Sequence, residues 1–465
     1  MTTLASLAAV AFAAGGAVLA ARQPSDEKAQ RIGALSAGLS ALLAGLNLLL
    51  RQQLGSSAGL GLAVDALSAP LQALVAWVAV ALVLALPRVP DALPLHQRVA
   101  KALGTAAGVQ LVVCTDHAVV LSLAWLLALL GLAYPKRQPG LRGQLAASAL
   151  VAGALAWLAV LQGTPWISQW RPEQAASHAT ALFALLAVGA GARAALLPMQ
   201  SWWLPMFEDG PLSAGLPLMA GATGAYLLAR VALPILPQAA EQGMPLLAGV
   251  ALATVVYAAL LALAQTHLRR LAGTLALLQS ALQVVALAAA DREGLAGVWV
   301  QAMTSGLAVS GFALLSEAVR ARSGTAQAPL LGGLVLHAPR LSWLLLVFGL
   351  ASIGLPGTLG FVGEDLIVHG LLEHHPWMAA LVVGATALSG MALIKVWSQA
   401  CLGPASPRAT SSDLLVREQW AAALLVVPLL GFGLWPAAVV AEASSAAAAL
   451  SQEALAKVAV VRTGR

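Results

Sequence analysis

The chain has 465 residues, of which 60% are hydrophobic and only 9% charged, with a net charge of +6. A soluble domain carries roughly a quarter charged residues, so this composition excludes one and describes a polytopic membrane protein. The basic residues are spread over short loops, which excludes a nucleic-acid surface, and the two cysteines, Cys114 and Cys401, beside apolar runs offer neither a disulfide framework nor a metal site.

Ala, Leu and Gly dominate, as in helices that pack closely through small residues, and the two-residue alternation of a β-barrel is missing. An all-α membrane fold follows. The first run, from Leu4 to Ala21, lacks a basic leader and is expected to be a retained helix and not a cleaved signal. Apolar runs of spanning length lie at about 4–21, 32–50, 66–87, 102–115, 117–133, 144–162, 179–197, 211–236, 245–264, 271–290, 294–318, 341–373, 377–400 and 418–438. That is fourteen expected spans. Two are interrupted. Span seven runs into PMQSWWLPMFEDGPLSAG, Pro198 to Gly215, whose 199–216 portion reads as its second half. Span twelve breaks at Pro356-Gly357-Thr358-Leu359-Gly360. The two broken spans are five helices apart, as one five-helix block repeated in inverted orientation would place them. The expected blocks are 102–238 (spans four to eight) and 239–402 (spans nine to thirteen). They are preceded by three helices in 1–101 and followed by span fourteen and a tail in 403–465. Residues Val439 to Val460 fit either a surface helix or a frayed tail.

Charge tests this count. With the N-terminus outside, seventeen basic residues fall in inward loops, including Arg88, Lys136, Arg137, Arg142, Arg408 and Arg417. Six fall outside, among them Lys457, Arg462 and Arg465, and Arg193 and Arg230 lie within spans. Positive charge collects on the cytoplasmic side of membrane proteins, so both termini are expected outside.

The stretch GLASIGLPGTLGFVGEDLIVHGLL, Gly349 to Leu372, carries the chemistry. Proline lacks an N–H and glycine is too free, so the helix stops at Pro356-Gly357 and restarts at Phe361. Broken backbone survives at membrane depth only where protein or water satisfies it, and an acid there is a functional candidate. Glu364 is that acid, able to load and release a proton, with Asp365 beside it. His369 lies one turn after Asp365 on the same face. The other acids, histidines and tryptophans read more plainly. Asp116-His117 is expected to be a solvated turn, and His267 to meet lipid headgroups or a partner. Glu317 should form an ion pair with Arg320. Trp202-Trp203 could pack the broken backbone or join an aromatic belt. No nucleotide loop, dinucleotide fingerprint, iron–sulfur or haem spacing occurs, so no redox cofactor and no covalent chemistry are expected of this chain alone.

These motifs together resemble the antiporter-like membrane subunits of complex I, in particular subunit M of bacterial NADH:quinone oxidoreductase. Residues 350–372 resemble the family's LASLGLPGTxGFVGE. Residues 190–230, AGARAALLPMQSWWLPMFEDGPLSAG…GAYLLAR, are similar to its GKxxxxPxHxWLPDAxxxxPTPVSA. Asp65-Ala-Leu-Ser68 and Arg269-Arg270-Leu271 match looser motifs. The resemblance implies a line of buried acids, lysines and histidines that moves protons. Its Phe-Val-Gly-Glu acid falls on Glu364. Its span-seven lysine falls on Arg193, its span-five acid on Leu126 after Trp125, its span-eight lysine on Ala222 and its span-eleven histidine on Ser305. Arginine almost never releases a proton, so the N-terminal half lacks its titrating pair. Arg193 then reads as a fixed structural charge paired with Glu208 or Asp209.

The resemblance implies a proton-translocating subunit with a partly degenerate path (Glu364, Asp365, His369, Ser305) in the bacterial inner membrane. It would work with other membrane subunits and a soluble catalytic subunit. Two parents fit, a respiratory or hydrogenase-linked complex and an inorganic-carbon uptake complex with a carbonic-anhydrase-like partner. A non-conducting structural subunit is a third reading, favoured by the lost titratable groups.

Overall fold

The computed structural model describes residues 1–59, 61–87, 93–132, 140–210, 215, 222–289, 292–404 and 412–463. Arg88, Lys136, Arg137, Arg408 and Arg465 of the charge count, and residues 211–214 and 216–221 of the second family motif and of the expected span eight, lie outside them. The described chain is helical apart from a small antiparallel hairpin, β1 (Ser57–Gly59) with β2 (Leu62–Val64), in which Ser57 faces Val64.

In chain order the helices that build the frame are α1 (Thr2–Ala21), α2 (Asp26–Leu54), α3 (Ser68–Ala85), α4 (Leu95–Cys114), α5 (Ala118–Leu127) and α6 (Leu141–Gln162). Next come α7 (Ala179–Arg193), α8 (Trp203–Asp209), α9 (Thr223–Leu227), α10 (Pro237–Leu263), α11 (Leu268–Ala289), α12 (Arg292–Thr304) and α13 (Ser310–Ser323). The last are α14 (Pro339–Ala351), α15 (Leu359–His374), α16 (Pro376–Cys401), α17 (Val416–Leu434) and α18 (Ala437–Thr463). One π-helical turn, Ser305–Val309, joins α12 to α13, and another, Leu228–Ala232, follows α9.

The packing is that of a chain dissolved in lipid. Along α2 the buried stripe is Ala29, Gly33, Ser36, Ala37, Ser40, Ala44 and Asn47, whereas Leu35, Leu39, Leu42, Leu46 and Leu49 are exposed. Leucine gains nothing by leaving hydrocarbon, so it stays outside, and small residues take the contact where backbones approach. Polar side chains knit the helices from within: Asn47 Nδ2 donates to Gln72 Oε1 at 2.9 Å, and Gln72 Nε2 donates to Ser6 O at 3.0 Å.

Nine helices among the described residues are long and apolar enough to cross a membrane, ten if α17 and the start of α18, bent by 84°, form one span. Fourteen is the expected number. The difference arises partly where the chain breaks: Pro339–Ala351 is one half of the expected span twelve and too short alone. Ala118–Leu132 is likewise short. Residues 437–463 are helical, lie against α12 and are tied down by the Arg51–Glu442 ion pair, which favours the surface helix over the frayed tail.

Candidate functional site

Helix α11 is buried along almost its whole length, as is the stretch Glu293–Ser323. It serves both breaks with consecutive residues. Ser280 Oγ donates to Ala194 O at 2.5 Å in the first break, and Gln279 Nε2 donates to Ser352 O in the second. Unwound backbone in a membrane needs such partners. The first break has further ones. Gln144 Nε2 donates to Ala192 O at 2.7 Å, and Leu197 N–H donates to Thr254 Oγ1 at 3.1 Å. Trp202 Nε1 reaches Ala192 O at 3.3 Å, and Trp203 Nε1 reaches Gly273 O at 2.7 Å. Both tryptophans are buried, so they pack the break and take no place in an exposed belt.

At the second break α14 ends at Ala351 and α15 begins at Leu359. Gly354 sits between them with φ of +78°, a conformation that L side chains rarely adopt. A β-carbon there would also collide with Glu364 Oε2, so the carboxylate folds back onto the broken backbone. Glu364 Oε2 is inaccessible and has no hydrogen-bond partner among the described residues. The Thr386 hydroxyl of α16 stands beside the carboxyl.

Close helix contact brings an amide to the same place. At Gly363 a β-carbon would meet Gln301 Oε1 at 2.5 Å and the Gln301 backbone nitrogen at 3.1 Å. Gln301 Nε2 in turn donates to Gln279 Oε1. One turn along α11 from Gln279 is Gln283, wholly buried, with neither side-chain polar atom partnered among the described residues. One turn beyond Gln301, at the start of the π-helical turn after α12, is Ser305, buried, with Oγ unpartnered among the described residues. Gln301 Oε1 and Ser310 Oγ are also unpartnered among the described residues. Gln301 and Gln279 thus form a buried amide pair that reaches the broken backbone at Ser352, two residues before the Gly354 that Glu364 Oε2 approaches. Sequence reasoning passed over the glutamines because they carry no charge. The visible signal was polar residues four apart, 279 with 283 and 301 with 305, inside apolar runs.

The expected site residues separate. Glu364 and Ser305 face the interior. Asp365 and His369 pair with each other at 3.4 Å on an exposed face of α15, so they share a face as expected and stand apart from the Glu364 carboxyl. Arg193 ends α7, fully buried, where a cation suits the negative end of the helix. Its guanidinium stacks 4.4 Å from the Trp125 ring centroid and donates to Trp125 O at 2.8 Å. Nε and Nη1 have no partner among the described residues. Pairing with Glu208 is thus corrected: Glu208 meets Arg270 at 3.6 Å, beyond the turn that carries α8 away from Arg193. No ion pair joins Arg193 to Asp209 among the described residues. Since no carboxylate is stranded by its loss, Arg193→Met is expected to leave the thermal midpoint of the purified protein within a few degrees of wild type. A large fall would show a hidden acid partner.

One further expectation, at Asp116, is corrected by burial. Asp116 is buried and not solvated: its carboxylate accepts from Ser168 N–H at 2.9 Å and Ser168 Oγ at 2.6 Å, starting the short helix Ile167–Gln169. His267 forms a β-bridge with Gln327, and its Nδ1 is buried. Burial holds its imidazole below the usual range, Glu208 working against that and Arg269 and Arg270 with it. Glu317 pairs with Arg320 at 2.5 Å as expected, and with Arg269 at 3.0 Å, a partner the sequence did not offer. Asp65 starts α3 by accepting from Leu67 and Ser68 N–H and meets Arg230 at 2.7 Å.

Residues 139–389, more than half of the chain, match the family described as NADH:quinone oxidoreductase/Mrp antiporter, transmembrane. The chain belongs to this family. Subunit M of NADH-quinone oxidoreductase from Rhodobacter capsulatus is 28% identical over 242 residues, 51% of this chain and 47% of that protein. The Escherichia coli K12 subunit M is 27% identical over 256 residues, 54% and 50% of the two chains. The matches thus span about half the length of these curated relatives. Among solved structures, a chain of respiratory complex I from Thermus thermophilus with bound NADH superposes with a TM-score of 0.83 at 24% identity, covering 98% of this chain and 100% of that one. A chain of the Mrp complex from Dietzia sp. DQ12-45-1b does so with a TM-score of 0.82 at 16% identity, covering 98% and 99%. At these identities the antiporter-like membrane fold is what is shared.

Proposed function

We propose that this chain is a proton-translocating, antiporter-like subunit of a multisubunit energy-coupling complex in a bacterial inner membrane, and that Glu364 is its titrating group. The observation that carries this is the inaccessible Glu364 Oε2, turned back onto the broken backbone of span twelve at Gly354, in the same break that the Gln279 amide serves at Ser352. A carboxyl exchanges protons, whereas glutamine and serine only relay them through water. In this reading Gln279, Gln283, Gln301 and Ser305 line the polar interior that leads to Glu364, and Arg193 supplies a fixed charge in the other half. Fourteen spans in two inverted blocks, 102–238 and 239–402, and both termini outside complete the reading. The service of both breaks by α11, from Ser280 and Gln279, supports the two-block arrangement.

Two experiments test this. Purification of the intact assembly is expected to yield other integral membrane subunits and a soluble catalytic partner; a chain that carries proton flux alone overturns the subunit reading. Reporter fusions after Arg142 and Arg417 should sit in the cytoplasm and one at Arg465 outside. A cytoplasmic C-terminus removes a span.

A further inference from the structure

A groove of about 470 Å³ runs between α14 and α17 on the outer surface of the bundle. Both helices start at the same end of it. Their first turns contribute Pro339, Arg340 and Gln419, and the deeper turns contribute only Trp343, Leu344, Ala423 and Val426. The lining therefore passes from charged to apolar along the helix direction, as a phospholipid does from phosphate to acyl chain. Trp343 is 54% exposed, an amphipathic ring of the kind that sits at the headgroup boundary.

The charges at this end sort clearly. Asp413 is occupied with backbone: Oδ2 accepts from Arg340 N–H at 3.0 Å, and Oδ1 accepts from Leu341 N–H at 3.1 Å and Leu414 N–H at 2.8 Å. Glu418 is held by Arg322 and accepts from Leu415 N–H at 2.9 Å. Arg417 is turned to Gln30 Oε1 at 3.2 Å and Leu86 O at 3.1 Å. The exposed Arg340 guanidinium makes no ion pair among the described residues and is the cation left at the mouth of the groove.

We propose that this groove binds one anionic phospholipid, its phosphate on Arg340 and an acyl chain along Trp343, Leu344, Ala423 and Val426. A free phosphate would leave the apolar wall unused. A neighbouring subunit's helix filling the groove would have to desolvate Arg340, at a cost a charged headgroup avoids. Basic sites between membrane helices favour anionic headgroups by about 1 kcal/mol per cation, a preference of about fivefold.

The test is lipid retention by the purified complex after exchange into vesicles of phosphatidylglycerol or phosphatidylcholine, read by native mass spectrometry. Wild type should retain phosphatidylglycerol about fivefold over phosphatidylcholine. Arg340→Gln should remove that preference while leaving phosphatidylcholine unchanged, and Arg340→Lys should restore it. Equal retention of the two lipids by wild type, or a preference that survives Arg340→Gln, overturns the proposal. So does crosslinking of an Ala423→Cys variant to a neighbouring subunit in place of lipid. Should Arg340→Gln fail to assemble, the wild-type comparison and Arg340→Lys still decide.

Discussion

Arg269→Ala is expected to cost the fold about 3 kcal/mol, the lower end of what breaking a buried ion pair costs. The Arg269 side chain is 2% exposed and meets Glu317 at 3.0 Å. It also donates to Gly210 O, directly after the end of α8 in the broken span seven. Its removal strands part of a buried carboxylate and frees a backbone carbonyl together. Arg320 remains on Glu317 at 2.5 Å, which is why the lower end is expected. Thermal unfolding of the purified protein measures this. Arg269→Ala with Glu317→Gln should recover part of the loss, because the stranded charge is then gone. A single variant as stable as wild type would remove this pair from the account.

The second large effect is functional. Glu364→Gln keeps the size of the side chain and its power to hydrogen-bond, but it cannot exchange a proton. A purely structural role against the Gly354 backbone and Thr386 is met by the amide almost as well. Assembly with partner subunits should therefore be normal. Proton transfer by a positioned group contributes about 10²–10⁴-fold, so coupled activity should fall at least about a hundredfold. Asp365→Asn should be much milder, since Asp365 is exposed and turned toward His369 at 3.4 Å.

Much of this was legible in sequence because the bilayer imposes strong rules. Long apolar runs gave helices, and Pro356-Gly357 and Pro198 gave the breaks, since neither position can continue an α-helix in lipid. Glu364 stood out because a carboxylate in an apolar run is rare. What escaped notice has a common physical character. Gln279, Gln283 and Gln301 are neutral, so hydropathy and charge counts pass over them, although all three are buried and Gln279 and Gln301 bond across helices. Arg193 was given an acidic partner by proximity in sequence. The turn after Pro198 instead sends Glu208 to Arg270, and Arg193 finds the Trp125 ring and carbonyl on α5. That contact sets Arg193 beside Leu126, where the family resemblance places an acid, and no composition rule reveals such a juxtaposition. Asp116 was expected in water because it lies in a turn; Ser168, 52 positions on, buries it.

The central claim is that one carboxyl, Glu364, moves the proton. The most direct measurement is the initial rate of proton movement into sealed vesicles carrying the assembled complex, wild type against Glu364→Gln at equal incorporation. The variant's rate is expected to be at least about a hundredfold lower, with subunit composition unchanged. Wild-type proton movement by fully assembled Glu364→Gln would contradict it and leave the chain a structural subunit.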